Sequence, residues 1–199
     1  GRKRNNKYCL RKMKVNPLQL TLALLKPDIA AHPHIVKNVR QIILENGFYF
    51  IMSKNVRLSL DDAELFYAEH RGKFFQNRLV SFMSSGPIWS HILCGDNAIA
   101  KWRKLMGPTK VLRSVFDDPQ SIRGSYGLTD TRNCTHGSDS EQTALREIGF
   151  FFPEFHVDKW YEEQHNFFQQ DLVEFDHNLC QHIAVTHEAA QPAQTDLFS

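Results

Sequence analysis

The densest group of chemically capable side chains is the run Asn133-Cys134-Thr135-His136-Gly137-Ser138-Asp139-Ser140. Ser138-Asp139-Ser140-Glu141 reads as a capping box, and Ala144, Leu145 and Ile148 give the helix behind it an apolar stripe. His136 thus stands immediately before a helix N-terminus, where unpaired N–H groups and the helix dipole favour an anion such as phosphate. Gly137 has no Cβ and would let a ligand come close to the backbone. A neutral imidazole is a competent nucleophile near pH 7 once its second nitrogen is fixed by a hydrogen bond. Glu147 lies two turns beyond Ser140 on the same helix and could supply that bond if the helix runs back past the histidine. The bland reading of a histidine so placed is a structural one.

These residues need a scaffold, and the hydrophobic pattern describes one. Leu18, Leu20, Leu22 and Leu24 alternate along a first strand that stops at Lys26-Pro27-Asp28. Ile35, Val36, Val39, Ile42 and Ile43 follow at helical spacing, closed by Asn46-Gly47. Residues 48–58 are aromatic and β-branched enough for a second strand, and Ser59 with Asp62 marks the next helix start. Leu65, Phe66 and His70 continue that helix, and 74–83 reads as another short one. A third strand is predicted over 88–93 and a helix over 98–106. From Gly107 to Thr135 the periodicity fades amid Pro108, Pro119, Gly124 and Gly127, which predicts a long functional loop. Irregular structure is expected after about His165. The alternation of strands and helices predicts an α/β sandwich with helices over a small sheet.

At 199 residues, with 42% hydrophobic and 23% charged residues, the composition is that of one soluble globular domain with tails. No apolar run approaches the roughly 20 residues of a membrane-spanning helix. Cys9, Cys94, Cys134 and Cys180 are widely spaced and unpaired in sequence, which argues for free thiols and against a disulfide frame or zinc site. His165, His177, His182 and His187 have no supporting cysteines and read as scattered surface histidines. The net charge of +2 conceals a polarity: residues 1–14 hold seven basic residues and no acid, whereas from Tyr161 onward there are seven acids and no Lys or Arg. The chain therefore divides into a basic, unfolded head (1–16), a domain (17–164) and an acidic, polar extension (165–199).

The pattern Asn133-x-x-His136-Gly137-Ser138-Asp139-Ser140 resembles the active-site signature of the nucleoside diphosphate kinases, and the resemblance runs from about Leu18 to Tyr161. Further matches fall in the family's order: Leu25-Lys26-Pro27-Asp28, then Tyr67 before His70 and Phe74-Phe75, then Ser85-Gly86-Pro87. Arg103 with Met106-Gly107-Pro108-Thr109 and Ser121-Ile122-Arg123-Gly124 follow. The segment Leu128-Thr129-Asp130-Thr131-Arg132-Asn133 looks closest to the divergent sixth-type group, which is associated with mitochondria. The resemblance implies a single ferredoxin-like βαββαβ sandwich of the α/β (α+β) kind, with an antiparallel four-stranded sheet covered by helices. It implies that ATP or another nucleoside triphosphate phosphorylates His136, which then phosphorylates a different nucleoside diphosphate. Lys26, Arg103, Thr109 and Arg123 would hold phosphates, with Lys26 and Asn133 also reaching the ribose. Tyr67 would sit near the transferring phosphoryl group and Phe75 would stack on the base, while Glu147 and Ser138 orient the imidazole. Magnesium is implied on the nucleotide phosphates and water, with no protein ligand. Such a set suits phosphoryl transfer, where protein contributes positioning and charge rather than covalent chemistry.

Two departures qualify the inference. Asp130 stands where many family members place an apolar residue against the second side of the base, which weakens the base clamp. The Gly107–Arg123 loop is longer than in the hexameric members, where it packs at a subunit contact, so a smaller homo-oligomer or a protein partner is expected in place of a simple hexamer. The alternative function is a weakly active or partner-dependent member acting as an interaction module. Nucleic acid is not expected as a partner, because the basic head holds no aromatic besides Tyr8. That head has the charge character of a mitochondrial presequence, though it lacks Ser. The matrix is the expected location, with the cytoplasm as the alternative, since Met13 could be an internal start.

Overall fold

Residues 17–185 are described by the computed structural model; the basic head, with Cys9 and Met13, and the tail from 186 onward, with His187, lie outside them. β1 (Gln19–Leu25) leads through a short α1 (Pro27–Ala30) into α2 (Pro33–Glu45), and both helices start on a proline whose fixed φ suits a first turn. β2 (Tyr49–Val56) is followed by α3 (Leu60–Phe66), a 3-10 turn at Ala68–His70, and α4 (Gln76–Met83). Ser59 caps α3 as expected, its side chain accepting from the Asp62 N–H while the Asp62 carboxylate accepts from its own N–H. Next come β3 (Ile88–Gly95), α5 (Ala98–Met106), α6 (Val111–Asp117), α7 (Ile122–Tyr126) and β4 (Thr135–Gly137). The described chain closes with α8 (Glu141–Phe151), α9 (Val157–Glu163), α10 (His165–Gln169), β5 (Val173–Asp176) and β6 (Gln181–Ala184).

The main sheet has the order β2-β3-β1-β4 with every pair antiparallel, the ferredoxin-like α+β arrangement. β1 is buried from Leu20 to Leu25 because both of its faces are covered. Leu20, Leu22 and Leu24 join one core with Phe66, Ile148 and Phe151, and Ala23 and Leu25 join the other with Val39, Ile43 and Trp102. The alternating leucines announce only one of these faces; Thr21, Ala23 and Leu25 are buried on the other.

Several expectations are corrected. The segment from Gly107 to Thr135 is no simple loop: it contains α6 and α7, whose signal is weak because Leu112 and Phe116 of α6 remain exposed. The chain beyond His165 is not irregular. β5 and β6 form a hairpin beside β2, the edge strand, where the Phe50 N–H donates to His182 Nδ1 at 2.9 Å and Ser53 Oγ donates to the Cys180 carbonyl at 2.6 Å. His182 and His165 are therefore structural acceptors, not loose surface residues; His165 Nε2 takes the Leu18 N–H at 3.0 Å. Burial holds both imidazoles below their ordinary pKa, which keeps the neutral, accepting form. Finally, Ser140 rather than Ser138 caps α8, and Leu145 points outward while Ala144 and Ile148 are buried.

Candidate active site

His136 is held on β4, not in a loop. Its backbone pairs with Leu24 of β1, and its carbonyl accepts the Trp102 indole N–H at 3.2 Å. A Cβ added to Gly137 would lie 2.5 Å from Trp102 Cδ1 and 2.9 Å from Met106 Cε. A side chain at this position would collide with α5, and the glycine itself remains on the lining of the cavity beside His136. Trp102 was legible only as part of the buried series Ala98, Trp102 and Met106, one helical turn apart.

The imidazole is fixed from one side. His136 Nε2 lies 2.9 Å from Glu147 Oε1, and Ser138 Oγ donates to Glu147 Oε2 at 2.6 Å. Ser138 Oγ in turn accepts from the Leu22 N–H at 3.4 Å, which ties the orienting pair to the central strand. Glu147 is almost wholly buried, and such a carboxylate is tolerable where its oxygens are paired, as here. Phe66 and Tyr67 present ring edges to the imidazole. Among the described residues no hydrogen bond reaches Nδ1. With Nε2–H donating to the carboxylate, Nδ1 carries the lone pair.

Lys26, Tyr67, Phe75, Arg103, Thr109, Arg123, Asn133, His136 and Glu147 all line one cavity of about 1800 Å³, and Ser138 stands behind its wall. Lys26 Nζ donates to Asn133 Oδ1 at 2.7 Å, and Asn133 Nδ2 to the Thr109 carbonyl at 3.2 Å. Burial, with the Arg123 charge adding, lowers the Lys26 ammonium to about 8. Arg123 donates to the carbonyls of Gly107, Asn133 and Thr135, so it ties the end of α5 to the chain entering β4. Burial brings its guanidinium down to about 10, which leaves it charged at neutral pH. A guanidinium has five N–H donors, so two remain for a ligand. The Tyr67 hydroxyl is buried on the cavity wall without a partner, and burial, with Glu147 and Glu69 adding, raises its pKa and keeps it protonated. It is a donor facing a site for an acceptor.

Two roles escaped sequence reasoning. Asp28 Oδ2 accepts the Cys134 N–H at 2.9 Å, and the Lys26 N–H donates to the Cys134 carbonyl at 2.8 Å. These bonds hold Cys134 at φ 73°, a left-handed conformation costly for a non-glycine residue, next to His136. Asp130 Oδ1 accepts the Val111 N–H at 3.0 Å, so the carboxylate on the cavity wall tethers the start of α6. Phe75 is half-buried on the same wall, with its ring edge on His70.

The family model described as nucleoside diphosphate kinase matches residues 19–157. The chain belongs to the nucleoside diphosphate kinase family. It is 52% identical over 168 residues to nucleoside diphosphate kinase 6 of Xenopus tropicalis, covering 84% of this chain and 94% of that protein. It is 55% identical over 147 residues to nucleoside diphosphate kinase 6 of Homo sapiens, covering 74% and 79% respectively. Nucleoside diphosphate kinase homolog 5 of Homo sapiens is a more distant relative, at 40% over 137 residues. Among solved structures, the Aquifex aeolicus nucleoside diphosphate kinase matches with a TM-score of 0.65 at 35% identity, over 68% of this chain and 95% of that one. The Halobacterium salinarum enzyme, solved in complex with CDP, matches with a TM-score of 0.62 at 34% identity, over 67% and 87%. The family match spans the segment that builds the cavity, from Lys26 to Glu147.

Proposed function

We propose that this nucleoside diphosphate kinase family member is an active kinase that moves the terminal phosphate of a nucleoside triphosphate to a nucleoside diphosphate through a phosphate carried on His136. The observation that carries the reading is the imidazole held at Nε2 by Glu147 on the wall of a cavity that Lys26, Arg103 and Arg123 also line. The Nδ1 lone pair attacks the γ-phosphorus and forms an N–P bond. The bond from phosphorus to the bridging oxygen breaks, and its electron pair leaves on the diphosphate. Nε2–H stays with Glu147, so no proton has to move. A second nucleoside diphosphate then takes the phosphoryl group by the reverse displacement. Lys26 and Arg123 offset charge on the phosphates, and Tyr67 donates to an equatorial oxygen as charge builds there. Phe75 offers the base a ring face, which accepts any base and suits an enzyme that serves several nucleotides.

The residues present fit magnesium carried by the nucleotide rather than by the protein. The cavity offers the phosphates the cations Lys26, Arg103 and Arg123 and the Tyr67 hydroxyl. When bound with the nucleotide, magnesium would supply positive charge to offset that of the phosphates, beside these cations. A coupled assay with ATP and a second nucleoside diphosphate tests the proposal; purified, folded protein without turnover sinks it.

Lys26 gives the reaction an upper pH limit. Its ammonium is charged below about 8 in the free protein and is lost above it. A charged hydrogen bond to phosphate contributes about 1.5–3 kcal/mol, so kcat/KM for the triphosphate should fall by roughly tenfold or more between pH 7 and 9.5. Bound phosphate restores the charge, so kcat should fall less. A kcat/KM profile flat to pH 10 would remove Lys26 from the phosphate site.

The alternative is a weakly active member acting through a partner. Asp130 on the base wall and the hairpin over the β2 edge support that reading, and they also support an assembly other than a simple hexamer. Light scattering should give a smaller species or a different partner; a stable hexamer at micromolar concentration defeats this. A matrix location rests on the head charge and the sixth-type resemblance. Protease protection of the full-length protein in intact mitochondria is the check, and digestion outside them would overturn it.

A further inference from the structure

The Thr135 N–H donates to the Asn133 carbonyl at 2.8 Å, and between them Cys134 has φ 73°. A bond spanning three residues around such a φ is the strained form of the γ-turn, which a residue with a side chain adopts only where its surroundings hold it there. Both peptide groups of Cys134 are tied to the chain between β1 and α1. Its N–H reaches Asp28 Oδ2 at 2.9 Å across 106 positions, and its carbonyl accepts the Lys26 N–H at 2.8 Å. The thiol is packed in the core, where burial pushes it up to about 12 and keeps it neutral. The turn lies between groups that the reaction needs. On one side Asn133 Oδ1 accepts from Lys26 Nζ at 2.7 Å, and on the other His136 follows Thr135 directly. The turn also brings the Asn133 and Thr135 carbonyls onto one guanidinium, that of Arg123, at 3.2 and 3.0 Å.

We infer that Asp28 is a positioning residue for phosphoryl transfer: it holds the γ-turn at Cys134 and through it sets Lys26, Asn133 and Arg123 against His136. This deepens the kinase reading and rests on it. The Asp28 carboxylate touches neither the imidazole nor the cavity lining, so it acts through the backbone. Among the described residues no other acceptor reaches the Cys134 N–H. Without Asp28 that N–H is left unpaired, and Cys134 gains by turning to a negative φ, which re-aims the peptide groups on either side. A displacement of about an ångström at the reacting groups is worth up to about 10²-fold in rate.

The test is the single-turnover rate of His136 phosphorylation at saturating ATP in full-length variants. Asp28→Ala should slow it by roughly 10–100-fold. Asp28→Asn keeps an oxygen for the Cys134 N–H without the charge, and it should recover most of that loss. The deciding variant combines Asp28→Ala with Cys134→Gly. Glycine adopts a positive φ without strain, so this double variant should phosphorylate about tenfold faster than Asp28→Ala. It should also melt lower, because a buried side chain is gone. A merely structural Asp28 gives a double variant that is both slower and less stable. Asp28→Ala as fast as the wild type, or no recovery on adding Cys134→Gly, overturns the inference. Asp28→Asn as slow as Asp28→Ala does so too, since the effect would then come from charge. A crystal structure of Asp28→Ala provides a readout without turnover: φ at Cys134 should become negative, and a value kept near 73° counts against the inference. A wild-type chain that takes no phosphate sinks the kinase reading, and the φ comparison then still decides whether Asp28 holds the turn.

Discussion

Incubation with ATP alone should leave an acid-labile, base-stable phosphate on the chain, and His136→Ala should abolish both that label and turnover. Nucleotide exchange should drop by roughly 10⁴-fold or more, because removing a covalent nucleophile leaves only binding and charge stabilisation. The variant should fold. The His136 side chain is a fifth exposed, and the contacts that fix β4 are backbone bonds to β1 and the Trp102 indole bond to its carbonyl. Imidazole has no role in either. Loss of the imidazole leaves the buried Glu147 Oε1 without that partner, so stability should fall by about 1–3 kcal/mol, while nucleotide affinity should persist through Lys26, Arg103 and Arg123. A phosphate that survives acid, or equal labelling in the alanine variant, places the phosphoryl group on another residue. The experiment separates chemistry from binding, since an inactive variant that still binds ATP isolates the covalent step.

How much of this was readable from the chain depends on the range of the interaction. Strands and helices with a buried stripe, such as β1, α2 and α5, follow from spacing alone, and Ser59 with Asp62 announced the start of α3. The helices α6 and α7 did not, because they are held by side chain to backbone bonds that leave no periodic pattern: Ser114 Oγ to the Pro108 carbonyl, the Val111 N–H to Asp130, and Arg123 to three carbonyls. The C-terminal hairpin was missed for a related reason. Its strands have four residues each and are half-exposed, and they gain order from β2 rather than from their own pattern. Within the site, spacing placed Glu147 two turns from the cap but could not show that α8 runs alongside β4. The sequence marks Gly137 as a glycine beside the cavity, but does not show that a Cβ there would meet Trp102, which lies 35 positions away. Asp28 and Asp130 were visible as residues, yet their backbone partners lie 106 and 19 positions away.

Arg123 is expected to be the position where catalysis and folding fail together. Arg123→Ala removes three donors from carbonyls of Gly107, Asn133 and Thr135 in a region that water reaches poorly, since the residue is 6% exposed. Carbonyls left without partners should cost about 3 kcal/mol or more in total. For a domain of this size that corresponds to a fall in Tm of about 6–12 °C. Arg123→Lys retains one charge but has no planar fork, so it cannot span three carbonyls and a phosphate. It should recover part of the lost stability and little of the activity. Arg103 provides the contrast, because it is exposed on the same cavity wall. Arg103→Ala should raise KM while shifting stability by no more than about 0.5 kcal/mol, as for surface substitutions. Thermal melts and steady-state kinetics on the three variants give the comparison. Arg123→Ala melting with the wild type would show that water satisfies those carbonyls. In that case Arg123 would act on the phosphates alone, and its kinetic defect should match that of Arg103→Ala.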